Sequence, residues 1–368
     1  MKEKKLIIPL ALFGFVFNLA FFSSAASPKK EKETKTEEKI IIPKEVKSVL
    51  QNGLVQRQGR QDIPLSIVKH LYLPARENVH SIFIFKMKNS DMAFVPQAEV
   101  PLLEKKEKKK TGEEKEMKET TPAKLQSHLN VFLQFYLLKN KKPVEVFKEV
   151  YIPVNFQAES TSFDPEKEEM YSIGYPLPSG DYLLAMATTS LDLKKIGTLY
   201  YEFSLPDIRS FKEKLDTTPI FFVKKITRMA SPEMTCAVHK DFFTYSALQI
   251  EPNLKNVFSP GKNLDIFFFI YGTQPKDDGK YDIGVNYEVL KEEETVIRFE
   301  SISYPFPLVS QPLPMKQTVI VKSEEEGEKK EKRNLSPGLY TLSIKIKDNI
   351  SGKSLTRDID FEVKQLEN

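Results

Sequence analysis

"LSPGLYTLSIKIKD" at residues 335–348 and "LPSGDYLLAMATTS" at 177–190 are two copies of one phrase. In the later copy Tyr340, Leu342, Ile344 and Ile346 fall on one side of an alternating pattern, with Thr341, Ser343, Lys345 and Lys347 on the other. Alternation with period two marks a half-buried strand. After a turn at "DNISGK" (348–353) the pattern resumes in "LTRDIDFEV" (355–363). Leu355, Ile359, Phe361 and Val363 there oppose Thr356, Asp358, Asp360 and Glu362. Arg357 interrupts the apolar side near the strand start, where a long side chain can reach water. The two strands predict a hairpin. A constant offset lays the earlier copy on it without a gap: Gly180 on Gly338, Tyr182 on Tyr340, Leu184 on Leu342, Met186 on Ile344, Phe203 on Phe361 and Leu205 on Val363. Upstream, "LNVFLQFY" (129–136) echoes "LDIFFFIY" (264–271) at a different offset, as if loops of unequal length separated equivalent strands. The phrase reads as the last hairpin of a domain that the chain contains twice.

Strand candidates fill both halves. The first half offers 65–73, 81–87, 129–138, 144–156 and its terminal hairpin. The second offers 219–226, 241–250, 264–272, 281–290, 296–301, 317–322 and its hairpin. Many short strands between Gly- and Pro-rich turns, with almost no 3.6-residue periodicity, argue for β-sandwiches. "LDIFFFIYG" is apolar on both faces, which suits a strand covered on each side. Gly180 and Gly338 permit a bend with positive φ. Tyr182 and Tyr340 then place a ring in the core and a hydroxyl on the backbone, as in tyrosine-corner sandwiches. The fold class expected is all-β: two tandem Ig-like β-sandwich domains after a signal peptide and a charged linker. The boundaries are 1–26 for the signal peptide, 27–60 for the linker, 61–210 for the first sandwich with a charged insertion at 104–119, and 211–368 for the second with a charged loop at 323–333.

Three runs of dense mixed charge set those insertions: 29–39 with five Lys and four Glu, 104–119 with seven Lys and six Glu, and 324–333 with five Glu and four Lys or Arg. Such segments bury too little apolar surface to offset their ordering entropy, so solvated loops or a linker are expected. At the N-terminus Lys2, Lys4 and Lys5 precede the apolar run 6–22 and the small residues "SSAAS" (23–27). This is the pattern of a secretory signal, with cleavage expected between Ala26 and Ser27 and retention as an anchor the alternative. Export to the periplasm or the extracellular space follows. The formal charge is +4, of which the three lysines and Glu3 supply +2. So small an excess excludes nucleic acid as a partner, and a membrane enters only through an uncleaved signal segment.

Little chemistry is marked. Cys236 is the single cysteine, so no intramolecular disulfide forms, and "MTCAVHK" (234–240) reads as a buried thiol beside an unrelated His239. His70, His80, His128 and His239 lack H-x-x-x-H or H-x-H spacing. There is no G-x-S-x-G, no P-loop and no G-x-G-x-x-G. Asp277, Asp278 and Asp282 in "PKDDGKYD" (275–282) could suggest a Ca²⁺ loop, but Asp-Gly is a hairpin-turn signal. No catalytic, cofactor-binding or metal residue is assigned, no cofactor is expected, and the chain is read as a non-enzyme.

The stretches 258–290 and 335–363, preceded by 177–208, resemble the C-terminal tandem Ig-like region of exported bacterial VWFA-related and GWxTD-domain proteins. The resemblance spans roughly residues 120–368. It implies neither a VWFA metal site, since no D-x-S-x-S is present, nor the Gly-Trp-x-Thr-Asp signature, since the chain has no Trp. The function expected is a non-catalytic exported envelope protein with a protein–protein interaction or structural role, partnered by another envelope or secreted protein. A ligand-binding module on the same sandwich, glycan-binding for example, is the alternative.

Overall fold

The computed structural model describes residues 42–97, 124–207, 214–323 and 327–365. One α-helix among them, α1 (Lys44–Gly53), precedes the strands. The first half contributes β1 (Ser66–Ala75), β2 (Asn78–Lys88), β3 (Val95–Pro96), β4 (Lys124–Lys139), β5 (Lys142–Glu159), β6 (Glu168–Leu177), β7 (Gly180–Ser190) and β8 (Ile196–Leu205). The second begins with β9 (Asp216–Thr217), β10 (Phe221–Arg228), β11 (Val238–Lys240), β12 (Phe243–Tyr245), β13 (Leu248–Pro252) and β14 (Val257–Phe258). It continues with β15 (Asn263–Tyr271), β16 (Ile283–Lys291), β17 (Glu294–Arg298), β18 (Ile302–Tyr304) and β19 (Leu308–Pro314). It ends with β20 (Lys316–Ser323), β21 (Gly327–Asn334), β22 (Gly338–Asp348) and β23 (Ser354–Val363). The protein is all-β.

Four sheets stack on one another. The first runs β5-β4-β7-β8 with β3 also on β4; the second runs β1-β2-β6-β11. The third runs β12-β13-β10-β15-β19 with β9 on β15; the fourth runs β14-β23-β22-β16-β17 with β18 on β16. Phe83, Phe85, Leu133, Phe135, Tyr182 and Leu184 fill the layer between the first two sheets. Ile266, Phe268, Tyr287, Leu342 and Ile344 fill the layer between the last two. Two-faced strands then join these pairs. β2 sends Phe83 and Phe85 one way and Ile82 and Ile84 the other; β15 does the same with Phe268 and Phe267. The expectation that "LDIFFFIYG" is covered on both sides holds for this reason.

That middle layer changes the picture of tandem domains. Leu71, Leu73, Ile82 and Ile84 meet Phe221, Val223, Phe243, Leu248, Ile250 and Phe267 across the halves. Side chains of this kind are worth roughly 1.5–3 kcal/mol each when buried. Parting ten of them would cost more than the whole stability of a domain, about 5–15 kcal/mol. β11, from the second half, also completes the second sheet by pairing with β6. Residues 208–213, at the expected boundary, lie outside the described residues; Leu215 just after them is buried in the last layer.

The two hairpins match in their details. Gly180 pairs with Leu205 and Tyr182 with Phe203; Gly338 pairs with Val363 and Tyr340 with Phe361. φ is +149° at Gly180 and +155° at Gly338, where a Cβ would be strained. The Tyr182 hydroxyl donates to the Pro178 carbonyl at 3.1 Å and that of Tyr340 to Ser336 at 2.8 Å. Tyr182 stacks on Phe203 with centroids 5.5 Å apart, Tyr340 on Phe361 at 5.6 Å. Both rings are buried. The second echo does not survive. β4, holding 129–136, pairs with β7, whereas β15, holding 264–271, lies in the sheet opposite β22. By pairing, β4 matches β16 and β15 matches β2. The two segments look alike because each is covered on both faces.

Other expectations are corrected. The linker assigned to 27–60 contains α1, whose Val46 and Leu50 are buried with Ile42 against Phe132, Leu183 and Ala187 on the outer face of the first sheet. Its apolar side was hidden among lysines and glutamates. Past the helix, Thr198 N–H donates to the Arg60 carbonyl at 2.8 Å and Asp62 N–H to that of Ile196 at 3.3 Å. This short bridge caps the edge of β8. Gly197 allows it: a Cβ there would stand 1.9 Å from the Ile63 carbonyl oxygen. The loop assigned to 323–333 is largely strand, because β20 and β21 pair in register from Lys316↔Asn334 to Ser323↔Gly327. Its pairing is carried by the backbone ladder, which the alternation of side chains does not specify. β6 and β19 had no strand expected, and 241–250 divides into β12 and β13 at Ser246, which has φ +53°. The signal segment 1–26 and the insertion 104–119 lie outside the described residues. No helix among the described residues is long and apolar enough to cross a membrane.

The shared layer predicts that both halves unfold in one calorimetric transition, not two. Tyr340→Phe should cost about 1 kcal/mol, the hydrogen bond alone, and Tyr340→Ala roughly 3–5 kcal/mol. Two separate transitions, only one of them moved by Tyr340→Ala, would contradict the middle layer.

Candidate functional site at the junction

Where the two halves meet, a cleft of about 1260 Å³ opens beside the middle layer. Its floor is the end of β6 (Gly174–Pro176) and His80 of β2. Tyr245 of β12 and Phe269 and Tyr271 of β15 form one wall, and the segment 232–237 leading into β11 forms the other. Met234, 90% exposed, stands at the rim. A concave, largely apolar pocket with a few polar groups at a domain junction is where ligands are generally held.

The polar groups in the cleft are already engaged or held neutral. Glu233 accepts hydrogen bonds from His239 Nε2 and Thr244 Oγ1, both at 2.8 Å. The Tyr245 hydroxyl donates to the Pro74 carbonyl of the first half at 2.6 Å, and burial pushes its pKa up. Burial, with Glu233 adding to it, pushes the Cys236 thiol up to about 12. That thiol lies 3.5 Å from the Gly174 carbonyl. Burial pulls the His80 imidazole below its ordinary range, against a backbone hydrogen bond to Thr244 that acts the other way. His80 Nε2 has no hydrogen-bond partner in the protein. It rests on Gly174, where a Cβ would stand 2.5 Å away. No nucleophile is paired with a base here, since the thiol is protonated and the neighbouring histidine is bound to a carboxylate.

Two smaller cavities flank the same junction. One of about 320 Å³ is lined by Met170, Ser172, Lys224, Asp241 and Phe243. Beside it Glu169 is buried between Lys167 and Lys240, at 3.0 and 3.1 Å. Burial, reinforced by Glu169, holds Asp241 above its usual carboxylate range. The other, about 500 Å³, is lined by Lys69, Tyr72, Asp216 and Arg357. Arg357, expected simply to reach water, bonds Asp216 of β9 at 2.5 Å.

The other residues singled out in the sequence lie elsewhere. His70 is stacked on Phe83 at 4.9 Å and bonded to Ser81 Oγ at 2.7 Å. His128 is exposed on β4. Asp278 accepts from Lys280 N–H at 3.0 Å beside Gly279 (φ +78°), the turn expected of Asp-Gly. Asp282 is bound by Lys276 and Asn349, each at 3.0 Å. No three His, Cys, Asp or Glu side chains among the described residues gather as a metal site would require. The sequence reading assigned no site residue and so missed the cleft. Its parts come from β2, β6, β12 and β15, and no spacing in the chain links them.

Burial of His70 generates a pH prediction. Its pKa falls from 6.5 to about 4, with desolvation the cause. Between those values the unfolded chain takes up a proton that the folded one refuses. The contribution is therefore intact above pH 6.5 and lost as pH falls toward 4, on the order of 3 kcal/mol in all. Denaturant titrations from pH 7 to 4 should show that decline, and His70→Phe should flatten it. Cys236, half-buried in the cleft with its thiol held protonated, should react slowly with a thiol reagent at pH 8 until denaturant is added; rapid labelling of the native protein would contradict the raised pKa.

No family model matches the chain, and no curated protein does either.

Proposed function

We propose that the chain is an exported, non-catalytic envelope protein that holds another protein in the cleft between its two halves. The observation that carries this is the cleft itself: large, walled by aromatic rings, with its titratable groups tied up or neutralised. Interfaces draw on such half-exposed aromatic surface. Export is supported by the residue pattern of 1–27. Each half as an Ig-like sandwich is supported by its strand order, three strands (β1-β2-β6 and β10-β15-β19) facing four (β5-β4-β7-β8 and β17-β16-β22-β23). The repeated tyrosine corner supports it too. Kinship with the tandem region of VWFA-related and GWxTD-domain proteins belongs to the same proposal and rests on the residues quoted for it.

Immobilised full-length protein should retain a protein from an envelope extract, and Met234→Asp, which puts a charge at the cleft rim, should lose it while folding normally. Retention of glycans instead, abolished by the same substitution, would carry the ligand-binding reading. Unchanged retention by Met234→Asp would remove the cleft from the interaction.

A further inference from the structure

The cavity of about 320 Å³ beside the middle layer shares no lining residue with the larger cleft. Ile84 of β2, Phe243 of β12 and Leu254 line its inner part, and all three belong to the packing between the halves. Met170, Pro252 and Val257 extend the apolar lining outward. Hydrogen bonds hold the walls in place. Asp241 N–H donates to the Met170 carbonyl at 2.9 Å, and Ser172 Oγ to that of Phe242 at 2.6 Å. In the loop after β13, Asn253 N–H donates to the Phe222 carbonyl at 2.8 Å and its Nδ2 to that of Val257 at 2.9 Å. A cavity framed in this way exists before anything enters it, so binding carries little ordering cost.

Charge is distributed unevenly around it. Lys224 is the extra residue of a β-bulge, between the pairs Val223↔Pro252 and Lys225↔Glu251. Bulges re-aim a side chain out of the regular alternation, and here that side chain borders the cavity. Lys255 borders it too, from the loop after β13. Both lysines are exposed, so they stand at the mouth, and neither forms an ion pair with a described residue. Asp241 is the one carboxylate in the lining. Burial, reinforced by Glu169, holds it above its usual range against the pull of Lys240, Lys167 and Lys224. Glu169 is already taken by Lys167 and Lys240. Lysines therefore outnumber carboxylates here, and Lys224 and Lys255 are the two left uncommitted.

We infer that this cavity binds a single-chain anionic amphiphile of the fatty-acid type, its aliphatic chain beside Ile84, Phe243 and Leu254 and its carboxylate at Lys224 and Lys255. A neutral chain would leave the lysines unused, and a cationic one would meet like charge. A small polar anion would gain nothing from the apolar walls. The volume is at the small end for ligand cavities, which suits one short chain. This site does not depend on a protein occupying the larger cleft.

Calorimetric titration of the full-length protein with decanoate, kept below its micelle concentration, tests the site. Binding should saturate at one chain per protein. Through hexanoate, octanoate and decanoate, each added methylene should tighten it by up to about fourfold. Decanol should bind about fivefold more weakly than decanoate. The double variant Lys224→Met, Lys255→Met should bring decanoate down to the level of decanol, with an unchanged melting temperature as the check on folding. In methyl-labelled protein the Ile84, Met170, Leu254 and Val257 signals should shift on titration, while that of Met234 in the larger cleft should not. Absence of saturable binding, equal affinity for decanol and decanoate, or decanoate binding that survives the double variant would overturn the proposal. So would uptake that leaves Met170 and Val257 unmoved.

Discussion

The contact on which the rest depends is the one between Ile82 and Ile84 of β2 and the phenylalanines of β10, β12 and β15. A sandwich needs only one apolar face per sheet, and its outer faces ordinarily go to water. Here the second and third sheets are apolar on both sides, so neither can end the stack. Each must be covered by the other. The relative placement of the halves is therefore set by a hydrophobic layer. All three junction cavities, and the strand that the second half lends to the first, exist because that layer is present but does not extend to the rims.

The two pairs of sheets share a terminal hairpin of the same geometry and differ in what surrounds it. The first copy carries α1 and the bridge at 60–62, which together cover the outer face of the first sheet and the edge of β8. Uncovered, that edge would be a template for pairing with another chain. The second copy widens its inner sheet with β12 and β13, and these reach the first half. The tyrosine corner is unchanged in both. It fixes the approach to β7 and to β22 by a short loop and one hydrogen bond, so it tolerates different surroundings.

Electrostatics plays a secondary part in the architecture. Pairs such as Lys86–Glu168 and Lys88–Glu166 are at the surface, where ion pairs contribute about 1 kcal/mol or less. Glu169 is instead buried between two lysines beside the middle layer. One of those lysines, Lys240, belongs to β11, so this carboxylate helps to specify which strand joins the second sheet.

The sequence by itself determined the strands that alternate, the duplicated hairpin, the inward tyrosines and the turn at Asp278-Gly279. These are local: period-two burial, positive φ and a ring four residues from its acceptor all lie within one hairpin. It could not distinguish equivalent strands from strands under equal burial, which is why 129–136 and 264–271 appeared to correspond. Nor could it reveal α1 as a covering helix, because the apolar sheet face it packs on is distant in the chain. Only the tertiary structure decided that two sandwiches form one stack, that β11 crosses from one half to the other, and that His80, Gly174, Tyr245 and Phe269 surround a single cleft. Those residues converge through packing of two-faced sheets, and such convergence is encoded in no spacing along the chain.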